Sequence, residues 1–121
     1  MKIAVVEDDP EIRSALSTML TQRLGYPKPS VFGDGTSLVK AIASDHQSFD
    51  LIIMDYRMPE MNGIEAARII LRHRNGIKVV LITGYDVKEE AESAGMIYLQ
   101  KPFSIEALTT IIQQVNLAMH S

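Results

Sequence analysis

Apolar positions along the chain follow two rhythms. Short unbroken runs, KIAVV (2–6), LIIM (51–54), KVVLIT (78–83) and MIYLQ (96–100), read as strands buried on both faces. PSVF (29–32) is weaker and opens on a proline, which suits a strand nearer a sheet edge. Between these runs apolar residues recur every three or four positions, the helical rhythm. Ile12, Leu16, Met19 and Leu20 share one face, behind Asp9 as a cap, Pro10 at the first helical position and Gly25 as a stop. Leu38, Val39 and Ile42 form a second stripe after the turn GDG (33–35). Asn62 and Glu65 have capping-box spacing before a helix over 64–74, closed by Asn75-Gly76. Asp86 and Glu89 repeat that spacing before a short segment ending at Gly95. Ser104 is placed to cap a last helix with Ile105, Leu108, Ile112, Val115 and Met119 on one face.

A strand followed by a helix, five times over, predicts an α/β, doubly wound, five-stranded parallel sheet covered on both faces. The 121 residues form one expected domain, 1–121, with no linker, repeat or low-complexity tract. A chain of this size buries roughly two thirds of its unfolded surface, enough for a core without covalent staples. Composition narrows the class. There is no cysteine, hence no disulfide framework and no thiolate metal site. A net charge of −3 argues against nucleic-acid binding by the domain itself. No apolar run approaches the ~20 residues a membrane helix needs, and MKIAVVEDD turns acidic too soon for a signal peptide. The expectation is a soluble cytoplasmic domain.

Ligands of such sheets gather at the carboxyl ends of the strands. The first strand is followed by Glu7, Asp8 and Asp9; the third ends in Asp55, the fourth in Thr83-Gly84, the fifth in Lys101-Pro102. Singly these are ordinary: Asp9 reads as a helix cap, Asp55 as a turn residue, Lys101 as a solvated charge. Together, carboxylates from neighbouring strands repel one another, a cost that a bound divalent cation removes. Oxygen-only ligands point to Mg²⁺.

VVEDD (5–9), IIMDYRMPEMNGIE (52–65), LITGY (81–85) and YLQKPF (98–103) stand in this order, each at a strand end. With them the chain resembles the chemotaxis-regulator-like receiver domain of two-component response regulators over nearly its whole length. The resemblance implies a (βα)5 flavodoxin-like fold with strand order 2-1-3-4-5. It implies Asp55 as phosphoacceptor, with Mg²⁺ held by Asp8, Asp55, the backbone carbonyl of Arg57 and, through water, Glu7. Thr83 is the hydroxyl and Lys101 the ammonium that meet the phosphoryl group. Tyr98 is the aromatic switch position, and Pro102 the proline usually preceded by a cis peptide. The implied partners are a histidine kinase or histidine phosphotransfer protein, docking on Ile12, Ala15, Tyr85, Pro102 and Phe103, and an output domain or protein. A homodimer formed on phosphorylation is a further implied partner. The chain is thus expected to be a signalling switch that catalyses only its own phosphorylation and dephosphorylation. Arg57 and Tyr85 would flank the attacking water and prolong the phosphorylated state.

Rival readings fare worse on the residues. An aspartyl-phosphate phosphatase usually wants a second aspartate where Arg57 stands. A flavin binder needs a Ser/Thr/Gly-rich phosphate loop, and EDDPE (7–11) would repel a phosphate. A pseudo-receiver scaffold is disfavoured by the complete set Glu7, Asp8, Asp55, Thr83 and Lys101. Two departures stand out. Only 18 positions separate Thr83 from Lys101, so the fourth helix is expected to be short. The last helix carries no arginine or lysine, which speaks against a salt-bridged dimer through it.

Overall fold

A computed structural model describes residues 1–44, 48–74 and 76–119. Its strands are β1 (Ile3–Val6), β2 (Ser30–Phe32), β3 (Leu51–Asp55), β4 (Lys78–Thr83) and β5 (Ile97–Gln100). Its helices are α1 (Pro10–Thr18), α2 (Gly35–Ala43), α3 (Gly63–His73), α4 (Lys88–Ser93) and α5 (Ile105–Met119). All strand pairs are parallel and the order is β2-β1-β3-β4-β5, the expected doubly wound sheet. In register, Val6 lies opposite Met54, so the next step brings Glu7 level with Asp55.

The unbroken apolar runs divide by alternation, as strands covered on both faces must. Ala4, Val6, Ile52, Met54, Val79 and Leu81 pack with Leu38, Ile42, Ala66, Ala67 and Ile70 of α2 and α3. Ile3, Val5, Leu51, Ile53, Val80 and Ile82 pack with Leu20, Leu108, Ile112 and Val115 on the other face. Each fully buried Leu, Ile or Val contributes roughly 1.5–3 kcal/mol of burial free energy. α3 is the best-anchored helix. The Glu65 amide donates to Asn62 Oδ1 at 2.9 Å and the Asn62 amide to Glu65 Oε1 at 3.0 Å, the expected capping box. Gly76 follows with φ 89°, in the left-handed region that favours glycine. The Asn75 half of the expected stop lies outside the described residues.

Several expectations are corrected. On the shared face of α1, Ile12 is 39% exposed and Leu16 is half-buried against the same cluster as Met19 and Leu20. The burial falls instead on Met19 and Leu20, in a π-helical turn (Met19–Arg23) that extends α1. There the Thr21 hydroxyl donates to the Ser17 carbonyl at 3.0 Å and competes with the regular ladder. Asp86 does not cap α4. Val87 is the cap residue, with no side-chain bond, since its amide turns back to the Tyr85 carbonyl at 3.0 Å and the helix begins one residue later than expected. α4 is indeed short, six residues, and stops where the Met96 amide reaches the Ala91 carbonyl around Gly95. Ser104 does cap α5, accepting from the Ala107 amide at 3.0 Å. Of the α5 stripe, Leu108, Ile112 and Val115 are buried, while Ile105 and Met119 overhang the sheet and are exposed. No helix among the described residues is long and apolar enough to cross a membrane.

Candidate functional site

Three strands deliver charge to one edge. Glu7 and Asp8 follow β1, β3 ends in Asp55, and Lys101 follows β5. One ligand oxygen from each of Glu7, Asp8 and Asp55 fits within 4.8 Å of the others. Lys101 Nζ stands 3.7 Å from Asp55 Oδ1 and 4.0 Å from Glu7 Oε1. Glu7 is buried, Asp55 partly so, and Asp8 is exposed. Burial pushes the Glu7 carboxyl up to about 7, a rise partly offset by the Asp9 amide and reinforced by the Asp55 charge. Asp9 stands apart from the cluster as the α1 cap, its carboxylate accepting from the Glu11 amide at 2.9 Å.

The cluster fits a hard divalent cation. Its donors are all oxygens, two of its carboxylates are open to solvent from one side, and their mutual repulsion is what such an ion offsets.

Thr83 is 2% exposed at the end of β4. Its Oγ1 accepts from the Tyr85 amide at 3.1 Å, and its carbonyl accepts from the Lys101 amide at 2.9 Å. The Lys101–Pro102 bond is cis, as expected. Tyr98, half-buried on β5, donates its hydroxyl to the Tyr85 carbonyl. Tyr85 in turn accepts from Arg57 Nη1 at 2.6 Å, and its ring lies 5.8 Å from that of Tyr56. Arg57 and Tyr85 therefore pair side chain to side chain across the loops after β3 and β4. Of the expected docking residues, Ile12 and Phe103 line one cavity of about 30 Å³ beneath Glu7, Asp55 and Lys101. Ala15 and Pro102 are exposed, and Tyr85 groups with Arg57 and Tyr56 rather than with that cavity.

Two residues escaped the sequence reading. Arg13 reaches back from α1 so that Nη1 donates to the Glu7 carbonyl at 2.9 Å. Gly63 leads α3 past the strand end so closely that a Cβ there would collide with the Asp55 carbonyl oxygen and stand 2.7 Å from Leu81 Cδ1. The Pro-Glu-Met-Asn-Gly turn carries a signal for the glycine, but a contact six positions apart through space leaves none for the arginine.

Sheet order and the composition of its carboxyl edge together define the class, a CheY-like receiver. The family described as the response regulator receiver domain matches residues 3–113, and the chain belongs to that family. Among its relatives is the transcriptional regulatory protein PdtaR of Mycobacterium tuberculosis, 39% identical over 116 residues, which cover 93% of this chain and 55% of that protein. The regulatory protein AtoC of Escherichia coli is 32% identical over 117 residues, covering 93% of this chain and 24% of that protein. The chain thus spans about half and about a quarter of the length of these two relatives. The chemotaxis response regulator CheY4 of Vibrio cholerae superposes with a TM-score of 0.76 at 30% identity, over 94% of this chain and 97% of that one. The chain is a receiver domain of the two-component kind, which favours the switch over the phosphatase and scaffold readings.

Proposed function

We propose that Asp55 accepts a phosphoryl group from a histidine kinase or histidine phosphotransfer protein, and that residues 1–121 work as one receiver unit. The observation that carries this reading is the convergence of three carboxylates within 4.8 Å, with an ammonium 3.7 Å from Asp55. An Asp55 carboxylate oxygen attacks phosphorus in line. The phosphorus–nitrogen bond of the donor phosphohistidine breaks, its electron pair returns to the imidazole, and an acyl phosphate forms on Asp55. Asp8 and Asp55, the Arg57 carbonyl and, through water, Glu7 would hold Mg²⁺, which would supply positive charge to the phosphoryl oxygens. Lys101 pairs with another of those oxygens. The Thr83 hydroxyl, now an acceptor from the Tyr85 amide, rotates to donate to a third. That rotation loosens the Thr83–Tyr85 turn on which Tyr98 also rests, and so carries the signal toward an output domain or protein.

Water later hydrolyses the acyl phosphate to inorganic phosphate and restores the carboxylate. The paired Arg57 and Tyr85 side chains slow this step by keeping water off the attacking line. The donor docks on Ile12, Ala15, Tyr85, Pro102 and Phe103, in the cytoplasm. The test is beryllofluoride with Mg²⁺, followed by fluorine NMR. Wild type forms a bound adduct and Asp55→Asn does not; an adduct on the asparagine variant would overturn the assignment.

A further inference from the structure

Hydrogen bonding between β1 and β2 runs one step past the last strand residue: the Glu7 amide donates to the Phe32 carbonyl at 3.0 Å. β2 ends there, and the chain turns through Gly33 to Asp34, the cap of α2. The Glu7 carbonyl has therefore outrun the ladder that would supply its donor, and a buried carbonyl needs one. Arg13 supplies it, with Nη1 at 2.9 Å. Gly33 lies beside this guanidinium: a Cβ there would stand 3.4 Å from Nη1, an ordinary contact. The Arg13 amide meanwhile donates to the Asp9 carbonyl at 2.9 Å. One residue thus ties the first turn of α1 to the end of β1.

We propose that Arg13 is a positioning residue for the acidic cluster. The carbonyl it holds belongs to the Glu7–Asp8 peptide, whose plane decides where Asp8 points as the chain leaves the strand. Two other bonds meet this bend: the Asp9 amide donates to the Glu7 carboxylate at 3.2 Å, and the Glu11 amide, in the first turn of α1, donates to the Asp9 carboxylate at 2.9 Å. Of these bonds, only that from Arg13 reaches the Glu7 carbonyl. A charge-assisted bond from a planar fork suits that task better than an ammonium on a flexible stem. The guanidinium also has an opposite effect, since its positive charge repels a cation bound nearby. Loss of the tether loosens metal binding and loss of the charge tightens it, so the sign of the change identifies the dominant role.

The inference rests on the reading that Glu7, Asp8 and Asp55 hold Mg²⁺. The experiment is calorimetric titration of the whole chain with MgCl₂ for wild type, Arg13→Met and Arg13→Lys, with melting curves in EDTA as the control for folding. Positioning predicts that Arg13→Met weakens Mg²⁺ binding about tenfold, ~1.4 kcal/mol, that Arg13→Lys weakens it less, and that both melt in one cooperative transition. Unchanged or tighter binding by Arg13→Met overturns the inference while leaving the metal reading intact. If Arg13→Met does not fold, Arg13→Lys decides: weaker binding upholds the tether, and wild-type or tighter binding overturns it. A wild type that binds no Mg²⁺ overturns the metal reading and this inference with it.

Discussion

α3 and α4 each follow a strand that ends in a site residue, yet they are held in opposite ways. α3 follows Asp55 with a reciprocal capping box and five buried residues, including Ile70 with no exposed surface. α4 follows Thr83 with no side-chain cap and one buried residue, Ala91. Asp55, the proposed phosphoacceptor, thus leads into the more firmly anchored of the two helices, and Thr83 into the less. A nucleophile has to be fixed before reaction, whereas a switch has to move afterwards. On the proposed function, the difference between the helices answers those two demands.

Core deletions break the comparison most severely. Ile70→Ala should cost about 3 kcal/mol in urea unfolding, through a cavity against β3 and β4. Ala91→Gly in α4 should cost about 1–2 kcal/mol, the helix-propensity difference plus the loss of one buried methyl. Equal costs would mean that α4 is packed as tightly as α3.

Next in size is the lifetime of the phosphoryl group. Arg57→Asn and Tyr85→Glu should each speed its loss about tenfold once the donor is removed, equivalent to ~1.4 kcal/mol in the barrier. Loss no faster than wild type in both variants would show that the Arg57–Tyr85 pair shields nothing.

The caps sharpen the comparison from both sides. Asn62→Ala should destabilise by about 1 kcal/mol by removing half of the α3 box. Val87→Asp should gain a few tenths to about 1 kcal/mol by giving α4 the cap it lacks, and should slow amide exchange there.

The smallest effect is the pH response of the α2 cap. Hydrogen bonds from Ser37 hold the Asp34 carboxyl below its ordinary value of 3.8. A lowered folded-state value means the cap contributes fully above the unfolded value and is lost as pH falls through the folded one. The stability gap between wild type and Asp34→Ala should therefore be constant near neutral pH and close below pH 3.8. A gap that widens on acidification would contradict that sign.

Strands were legible because each is a continuous apolar run, a pattern forced by burial on both faces. The carboxyl edge was legible because its residues immediately follow those runs. Along α1 the periodicity showed which residues share a face, not how deeply each is buried; Ile12 is exposed and Leu16 half-buried. Asp86 misled because capping spacing says nothing of a backbone turn, here Val87 to Tyr85, that shifts the helix start. The Arg57–Tyr85 pair spans 28 positions, and the Arg13–Glu7 bond runs to a main-chain atom. Neither type of contact leaves a local pattern to read.

The most direct test of the account is the intact mass of the chain after incubation with acetyl phosphate and Mg²⁺. The account predicts that wild type gains one phosphoryl group, that hydroxylamine releases it as an acyl phosphate must be released, and that both Asp55→Asn and excess EDTA abolish the gain. A phosphoryl group that survives hydroxylamine, or that still appears on Asp55→Asn, would contradict it.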